Sequence, residues 1–353
     1  MAKDYESLIR KVKNRTNPDI TNESVLLEKS FRDELGRTTV KANEYVKRVM
    51  RGVEPRYTER TFEAGKKVRE HLKKNNPNLD FEFQGSVMTN THIKGHSDID
   101  LVQITNRFYF HEGRQNFQKA KESFEYSYTE KERLSVIAEG TSFEGDDKMT
   151  LREIRIDAEN VLNREYKYVD TTKGKSIEVK PTNPSRKVDV VTASWYKNVK
   201  AVAKADKEER GIKIYDKNDH KILPEDFPFR KIKLVNQKDS RVNGRLKKMI
   251  RFLKNVKVDS DYKINLTSFD ITSISYNIPT YKYSDKSYLE LVHVIYEEMY
   301  KIYSDKVYRD SIKSVDDTEY IFRNNPEKVE HLGTLLTEVN LIKNDIIVAS
   351  FIY

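Results

Sequence analysis

The stretch that decides the fold is Phe83-Gln84-Gly85-Ser86, followed twelve residues after its serine by Asp98-Ile99-Asp100-Leu101-Val102. In a β-strand, residues i and i+2 project from the same face. The two aspartates therefore lie side by side, while the isoleucine and the leucine point into the core. Two adjacent carboxylates repel each other unless a cation neutralises them, and their hard oxygen atoms suit Mg²⁺. The pattern predicts a metal-binding carboxylate pair on a strand, close to a glycine turn.

A third carboxylate would complete such a site. Asp189 is the best candidate, because it stands alone in the apolar strand Lys187-Val188-Asp189-Val190-Val191, where a buried charge is costly unless it is paired or ligates a metal. Asp157 is a weaker rival, since its surroundings read as an ordinary helix. We therefore predict that Asp98, Asp100 and Asp189 are both the catalytic and the metal-binding residues. Phosphoryl-transfer enzymes use such carboxylates to hold two metal ions about 3.5–4 Å apart.

The turn before the carboxylate pair is a candidate phosphate cradle, formed by Gln84, Gly85 and Ser86. Glycine lets the backbone approach a triphosphate closely, and the serine hydroxyl and nearby amides can donate hydrogen bonds to its oxygens. The segment is not a P-loop, because no Gly-Lys-Ser or Gly-Lys-Thr follows it.

The composition is that of a globular protein with a heavily charged surface. The 353 residues include 65 basic and 56 acidic side chains, a net charge of +9 that favours a polyanionic partner without choosing between nucleotides, nucleic acid and an anionic membrane. The absence of cysteine excludes disulfides and cysteine-based zinc sites. No apolar run approaches the roughly 18–20 residues that span a bilayer, and the first residues do not read as a signal peptide. We expect a cytoplasmic protein.

Hydrophobic periodicity predicts an α+β chain with two parts, 1–222 and 223–353. Strands are expected at 81–83, 99–104, 176–179 and 187–191, and 106–150 reads as helix plus mobile loop. Helices are expected over the first 40 residues with a break near Asn17-Pro18, over 40–72 with a break at Pro55, and at 245–256, 288–303 and 325–342. A further helix over 150–166 would start with a capping box of Thr150 and Glu153.

Taken together, these motifs resemble the nucleotidyltransferase fold of the polymerase-β-like superfamily, and more closely the CD-NTases, relatives of cyclic GMP-AMP synthase and oligoadenylate synthase. The resemblance covers most of residues 40–275. It implies a nucleotidyltransferase palm with a long N-terminal helix, a mainly helical C-terminal lobe and an active site in the cleft between them. It also implies synthesis of a cyclic oligonucleotide, most simply a dinucleotide, in bacterial antiphage signalling. The substrates would be nucleoside triphosphates, and an effector protein would read the product.

The resemblance adds three candidate nucleotide-binding residues. Lys247, in the basic helical stretch from Gly244 to Lys254, would contact the triphosphate; the competing interpretation is a solvated charged face. Ser268 and Phe269 match a family Ser-Tyr segment in which serine touches phosphate and the aromatic ring stacks on the base. Phenylalanine keeps the stacking face but lacks the hydroxyl. The competing interpretation of Phe269 is a core aromatic residue.

The chemistry expected from these residues is attack of a ribose hydroxyl on an α-phosphate, with two Mg²⁺ ions, or Mn²⁺ in their place, as cofactors. Other outputs stay open: linear oligonucleotides, or modification of RNA or of a protein. So does a catalytically idle sensor that binds nucleic acid, or a structural partner in a defence complex. Nucleic acid is an optional partner of the enzyme, and no membrane partner is expected. The bases used, the linkage, the product size, the activating signal and the oligomeric state are not determined by the sequence.

Two histidines and two aromatic residues are further candidates for the same site. His92 and His96 flank the carboxylate pair, and we expect both to be solvent-exposed loop residues rather than phosphate contacts. Trp195 or Tyr196, which follow Asp189, could line a base pocket.

The apolar end of the chain, 346–353, is expected to pack as a last strand or helix, with a tail presented to a partner as the alternative.

Overall fold

The structure is a computed structural model that describes residues 3–15, 40–95 and 98–350, without the side chains of Asn14 and of 347–350. The chain forms two compact units. We call them the sheet unit, Thr58–Met88 with Asp98–Lys233, and the helical unit, Met1–Tyr57 with Thr89–Ser97 and Leu234–Tyr353. The described α-helices are α1 Tyr5–Asn14, α2 Lys41–Met50, α3 Pro55–Asn75, α4 Arg114–Glu122, α5 Tyr128–Ala138, α6 Asp147–Glu165, α7 Val199–Ala203, α8 Pro228–Arg241, α9 Arg245–Asp259, α10 Ser268–Asn277, α11 Tyr288–Ser304, α12 Lys306–Ser311 and α13 Pro326–Ser350.

The sheet unit is built on one mixed sheet. Its strands are β1 Leu79–Gln84, β2 Ile99–His111, β3 Val169–Asp170, β4 Ser176–Val179, β5 Val188–Lys197, β6 Gly211–Asp216 and β7 Lys221–Asp226. The order is β1-β2-β5-β4-β3, with β6 paired to β5 and β7 to β6. Strands β2 and β5 are parallel, and all other pairs are antiparallel.

Side chains along the central strands point alternately to the two faces of the sheet, and each face has its own apolar core. Ile99 and Leu101 of β2 and Val188 and Val190 of β5 are fully buried, in a cluster that includes apolar residues of α3 and α6. The intervening positions face the other way, where Val102 begins a second cluster. Since side chains alternate with a period of two, the aspartates of β2 and β5 belong to this second face, beyond the ends of its apolar cluster.

The helical unit has its own core, formed mainly by α9, α11 and α13. Helices α1 and α2 join this core through Leu8, Ile9, Tyr45, Val46, Val49 and Met50. The structure therefore divides the chain differently from the predicted boundary at 222/223. The unit boundary follows Lys233, and helices α1 and α2 belong with the C-terminal helices because their apolar residues are buried there.

Several element bounds differ from those expected from the sequence. Strand β2 continues to His111, into the segment expected to be helix plus loop. Helix α6 begins at Asp147, where the side chain of Asp146 accepts a hydrogen bond from the amide of Met149, so the expected capping box is not its start. The hairpin β6–β7 was not predicted, and β5 extends beyond the predicted 191 to Lys197. The predicted break near Asn17-Pro18 lies outside the described residues.

No helix among the described residues is long and apolar enough to cross a membrane. The apolar end of the chain continues α13, in which Ile346 is 2% exposed. The segment is therefore helical to Ser350 and packed at Ile346, and 351–353 lie outside the described residues.

Candidate active site

The strand register brings the predicted carboxylates together. Asp98 immediately precedes β2, and Asp100 is the second residue of that strand. In the parallel pairing of β2 with β5, the Cα partner of Asp100 is Asp189. Neighbouring strands lie about 4.7–4.9 Å apart, and the side chains of paired residues in one sheet share a face. Three carboxylates thus converge on one position of the sheet.

Mutual repulsion and burial make this position electrostatically unfavourable without a cation. Burial, followed by the charges of Asp189 and Asp98, raises the pKa of Asp100 to about 7. Burial and the charge of Asp189 also raise the pKa of Asp98, and the charge of Lys187 opposes that shift. Since like charges that are close together favour protonation of one of them, a divalent cation would relieve the repulsion at this position.

Two observations show why position 85 requires glycine. Its φ is +84°, a left-handed conformation that residues with a side chain rarely adopt. A Cβ atom built on it would lie 2.1 Å from Oδ2 of Asp100, so that any side chain would displace this carboxylate. The backbone of the turn therefore lies against Asp100, the candidate metal ligand.

The residues on either side of Gly85 are the other parts of the candidate phosphate cradle. Gln84 is the Cα partner of Asp100 on β1, and its buried Oε1 has no hydrogen-bond partner among the described residues. Ser86 follows in the turn and is half-buried.

Sequence reasoning missed a group of polar residues that supports Asp189 from β4 and the preceding turn. The Ser176 hydroxyl donates to Oδ1 of Asp189 at 3.1 Å, and the Lys173 ammonium lies 3.4 Å from the same oxygen. Lys173 also donates to Oε2 of Glu178 at 2.6 Å, and Lys187 approaches Oε1 at 2.7 Å. Although burial raises it, the hydrogen bonds from the two lysines lower the pKa of Glu178 to about 2.

The only sequence signal for this group is the alternation of polar and apolar residues along β4. Ser176 and Glu178 share one face of β4, and Glu178 is the Cα partner of Asp189. Finding that partner requires the antiparallel register of β4 and β5, which the sequence pattern does not give.

The donor set fits a magnesium ion bound jointly by protein and substrate. All three candidate ligands are carboxylates, which supply the hard oxygen atoms that Mg²⁺ prefers. Among the described side chains, no three His, Asp or Glu residues form a ready-made ligand cage. Mg²⁺ is usually held by one or two carboxylates together with substrate phosphates and water, rather than by a complete protein cage. The carboxylates of this site are suited to that partial ligation.

The three nucleotide-binding candidates from the resemblance lie in the helical unit. The Lys247 amide donates to Oδ1 of Asp239 at 2.9 Å, and its ammonium lies 3.5 Å from Oδ2. Ser268 is the exposed first residue of α10, which a capping box of Thr267 and Asp270 stabilises. Phe269 is half-buried and packs against the core of the helical unit. Their nucleotide contacts remain predictions.

Three of the remaining expectations have a structural outcome. His92 is fully buried and stacks on Tyr57, with ring centroids 6.3 Å apart, so the expected exposure of His92 was wrong. His96 lies outside the described residues, as does Ser97. Trp195 is a core residue that is 9% exposed, and its indole donates to Oδ2 of Asp80 at 3.0 Å. Asp157 is exposed on α6 and is not a strand neighbour of the carboxylate pair.

Comparison with known proteins identifies the family. Residues 66–214 match the model of the nucleotidyltransferase domain, and residues 233–342 match that of the cGAS/DncV-like nucleotidyltransferase C-terminal helical domain. A c-di-GMP synthase from Flavobacteriaceae sp. genome_bin_11 is 44% identical over 340 residues, which cover 91% of each chain. The protein is a CD-NTase. A c-di-GMP synthase from a Lachnospiraceae bacterium is 40% identical to this CD-NTase over 97% of the chain and 99% of the relative.

A solved structure agrees with this assignment. The STING-associated CdnE c-di-GMP synthase from Flavobacteriaceae sp. matches the CD-NTase with a TM-score of 0.84 and 40% identity, covering 98% of this chain and 99% of that one. The predicted family, the α+β nucleotidyltransferase fold with a helical C-terminal domain, and the synthesis of a cyclic dinucleotide are thereby confirmed.

Proposed function

We propose that this CD-NTase condenses two molecules of GTP into cyclic di-GMP and releases two molecules of pyrophosphate. The observation that carries the proposal is the parallel register of β2 and β5, which pairs Asp100 with Asp189 next to Asp98. The choice of guanine is supported by the relatives at 40–44% identity, which are named c-di-GMP synthases. The product would be read by an effector protein in antiphage signalling, as the description of one relative as STING-associated suggests.

In each of the two transfers, a ribose hydroxyl of one nucleotide attacks the α-phosphorus of the other, and the bond to the pyrophosphate breaks. Asp98, Asp100 and Asp189 would hold two Mg²⁺ ions. Such ions lower the pKa of the attacking hydroxyl and neutralise the charge of the triphosphate and of the leaving pyrophosphate. Asp189 would also orient the hydroxyl and accept its proton.

The other candidate residues would bind and orient the triphosphate rather than react. The positive φ of Gly85 leaves its backbone open to close approach by phosphate oxygens, which the amides and hydroxyl of the turn can contact. We further propose that Lys247 and Ser268 contact phosphate oxygens and that Phe269 stacks on a base. An Ala substitution of Lys247 should raise KM for GTP more than it lowers kcat, since a phosphate contact made before the reaction supplies uniform binding.

The test is incubation of the full chain with GTP, ATP, CTP and UTP plus Mg²⁺, with one nucleotide at a time labelled at its α-phosphate. After phosphatase treatment, we expect a resistant product labelled only by GTP, with the mass and retention time of authentic cyclic di-GMP. A resistant product that contains another base would contradict the choice of guanine. Label in a linear oligonucleotide, in RNA or in the protein itself would contradict cyclisation.

A pair of matched variants assigns the activity to this site. Asp100→Asn removes one carboxylate charge from the strand pair with almost no change of shape and should abolish product. Asp157→Asn removes the same charge from an exposed position on α6 and should leave product formation unchanged. Equal activity of the two variants would show that the carboxylates of β2 are not catalytic.

A further inference from the structure

The turn between β3 and β4 brings two donors to one oxygen of Asp189. The Ser176 hydroxyl lies 3.1 Å and the Lys173 ammonium 3.4 Å from Oδ1. In the described part of the chain, no hydrogen-bond donor or cationic side chain contacts the other oxygen, Oδ2. The carboxylate is therefore held through one oxygen, Oδ1.

Lys173 is itself fixed by an acidic residue that does not belong to the carboxylate triad. Its ammonium donates to Oε2 of Glu178 at 2.6 Å, and the Glu178 side chain is only 6% exposed. Lys187 binds the opposite oxygen, Oε1, at 2.7 Å. Because Glu178 is a register neighbour of Asp189, this double ion pair holds the Lys173 ammonium beside the third carboxylate.

The backbone of the turn is fixed by a buried arginine of α6. The Arg155 guanidinium is 1% exposed, and it donates to the carbonyls of Lys173 at 3.0 Å and Ser176 at 2.9 Å. A third donor lies 3.4 Å from the carbonyl of Gly174, and Nε binds Glu159 at 2.9 Å. A rigid planar group with this many donors specifies the turn conformation. Arg155 thus fixes the backbone from which the side chains of Lys173 and Ser176 reach Asp189.

We infer that Lys173 is a positioning residue for nucleotidyl transfer: together with Ser176 it holds Oδ1 of Asp189, so that Oδ2 is directed toward the metal ion and the attacking hydroxyl. The inference rests on the proposed function, since it assigns a role within the same reaction. Residues that hydrogen-bond a metal ligand orient it, and their loss typically costs about 10–100-fold in activity or metal affinity. Lys173 would not touch the nucleotide and would act only through Asp189.

The chain offers a matched control for the test. Lys173→Met and Lys187→Met each remove one ammonium group from Glu178, but only Lys173 contacts Asp189. For Lys173→Met, we expect kcat to fall by about tenfold or more, with KM for GTP changed by less than about threefold. For Lys187→Met, kcat should fall less than for Lys173→Met, because the contact between Lys173 and Asp189 stays in place. Lys173→Arg keeps the charge and should recover most of the lost kcat.

Metal binding gives a readout that is independent of turnover. Mn²⁺ binding, measured by electron paramagnetic resonance without nucleotide, should weaken in Lys173→Met, because Asp189 loses a donor that orients it as a metal ligand. If Lys173 acted only through its charge, removing that charge would tighten Mn²⁺ binding, and tighter binding would overturn the inference. The inference would be overturned if Lys173→Met left kcat unchanged or raised only KM. It would also be overturned if Lys187→Met lost as much kcat as Lys173→Met. Should Lys173→Met not fold, Ser176→Ala removes the second donor to Oδ1 and should lower kcat without changing KM; unchanged kcat would again overturn it.

A double-mutant cycle separates this inference from the proposed function. Lys173→Met, Asp189→Asn and the double variant are compared by urea denaturation in EDTA, where no nucleotide is needed. We expect non-additive changes in unfolding free energy, since the two side chains are in contact; additive changes would overturn the positioning contact. An inactive parent enzyme with coupled residues would refute the proposed function alone. An active parent with an unimpaired Lys173→Met variant would refute only the positioning role.

Discussion

Substitution of Gly85 by alanine should disable the enzyme while leaving it folded. The new Cβ atom would lie 2.1 Å from Oδ2 of Asp100, whereas real Cβ contacts stay beyond 3.0 Å, so the carboxylate must move by about 1 Å. A misplacement of about 1 Å in a reacting group can cost about 100-fold in rate. The positive φ adds about 1–2 kcal/mol of backbone strain, which is small enough for a chain of this size to remain native. We therefore expect kcat to fall by about 100-fold.

The assay is pyrophosphate release at saturating GTP and Mg²⁺, with thermal unfolding followed in parallel. Gly113→Ala is the matched control. Gly113 also has a positive φ, of +107°, but the nearest atom to its added Cβ is Nδ2 of Asn116 at 3.9 Å. This variant should show backbone strain with kcat within about threefold of the parent. If Gly85→Ala stays folded and keeps its activity, or if Gly113→Ala loses as much, the argument that the turn positions Asp100 is wrong.

Three further outcomes follow from buried charges. Because the folded state raises the pKa of Asp100 from 3.8 to about 7, this carboxyl binds more protons in the folded state than in the unfolded chain in this range. In EDTA its contribution to the melting temperature should therefore be lost as pH rises from about 4 to about 7. Because carboxyls with a lowered pKa, such as Glu178, act in the opposite direction, this contribution is measured as the difference between the parent and Asp100→Asn, and the same slope in both proteins would contradict the assignment. Arg155→Met leaves three turn carbonyls without their donor and should lower the unfolding free energy by about 3 kcal/mol in urea; a loss below about 1 kcal/mol would show that the turn does not depend on it. Lys328→Met leaves the fully buried Asp270 without its 2.7 Å partner and should cost about 3 kcal/mol, a loss that a Lys328→Met/Asp270→Asn double variant should reduce.

The central part of the fold was predictable because its signals are local. The alternation of aspartate with isoleucine and leucine at 98–101 specifies both a strand and the face that carries the charges. A lone charge among valines marked Asp189 in the same way. Each inference needed only the two-residue period of a strand and the cost of burying an unpaired carboxylate.

The rest of the site depends on register, which short patterns do not encode. Lys173, Ser176 and Glu178 support Asp189 only because β4 runs antiparallel to β5 in one particular register. Arg155 was read as part of an ordinary helix, because nothing in its neighbours indicates the carbonyls of a turn that lies 18 to 21 positions later in the chain. The burial of His92 was missed for a similar reason, since its partner Tyr57 belongs to another element.

The claim that three carboxylates hold the metal ions of nucleotidyl transfer has a direct test. Crystals of the full chain grown with Mn²⁺ and a non-hydrolysable GTP analogue can be measured for anomalous scattering at the manganese edge. The account predicts anomalous peaks within ligand distance of Asp98, Asp100 and Asp189, beside the triphosphate and the turn at Gly85. Manganese bound to the triphosphate alone, or at another group of side chains, would contradict it.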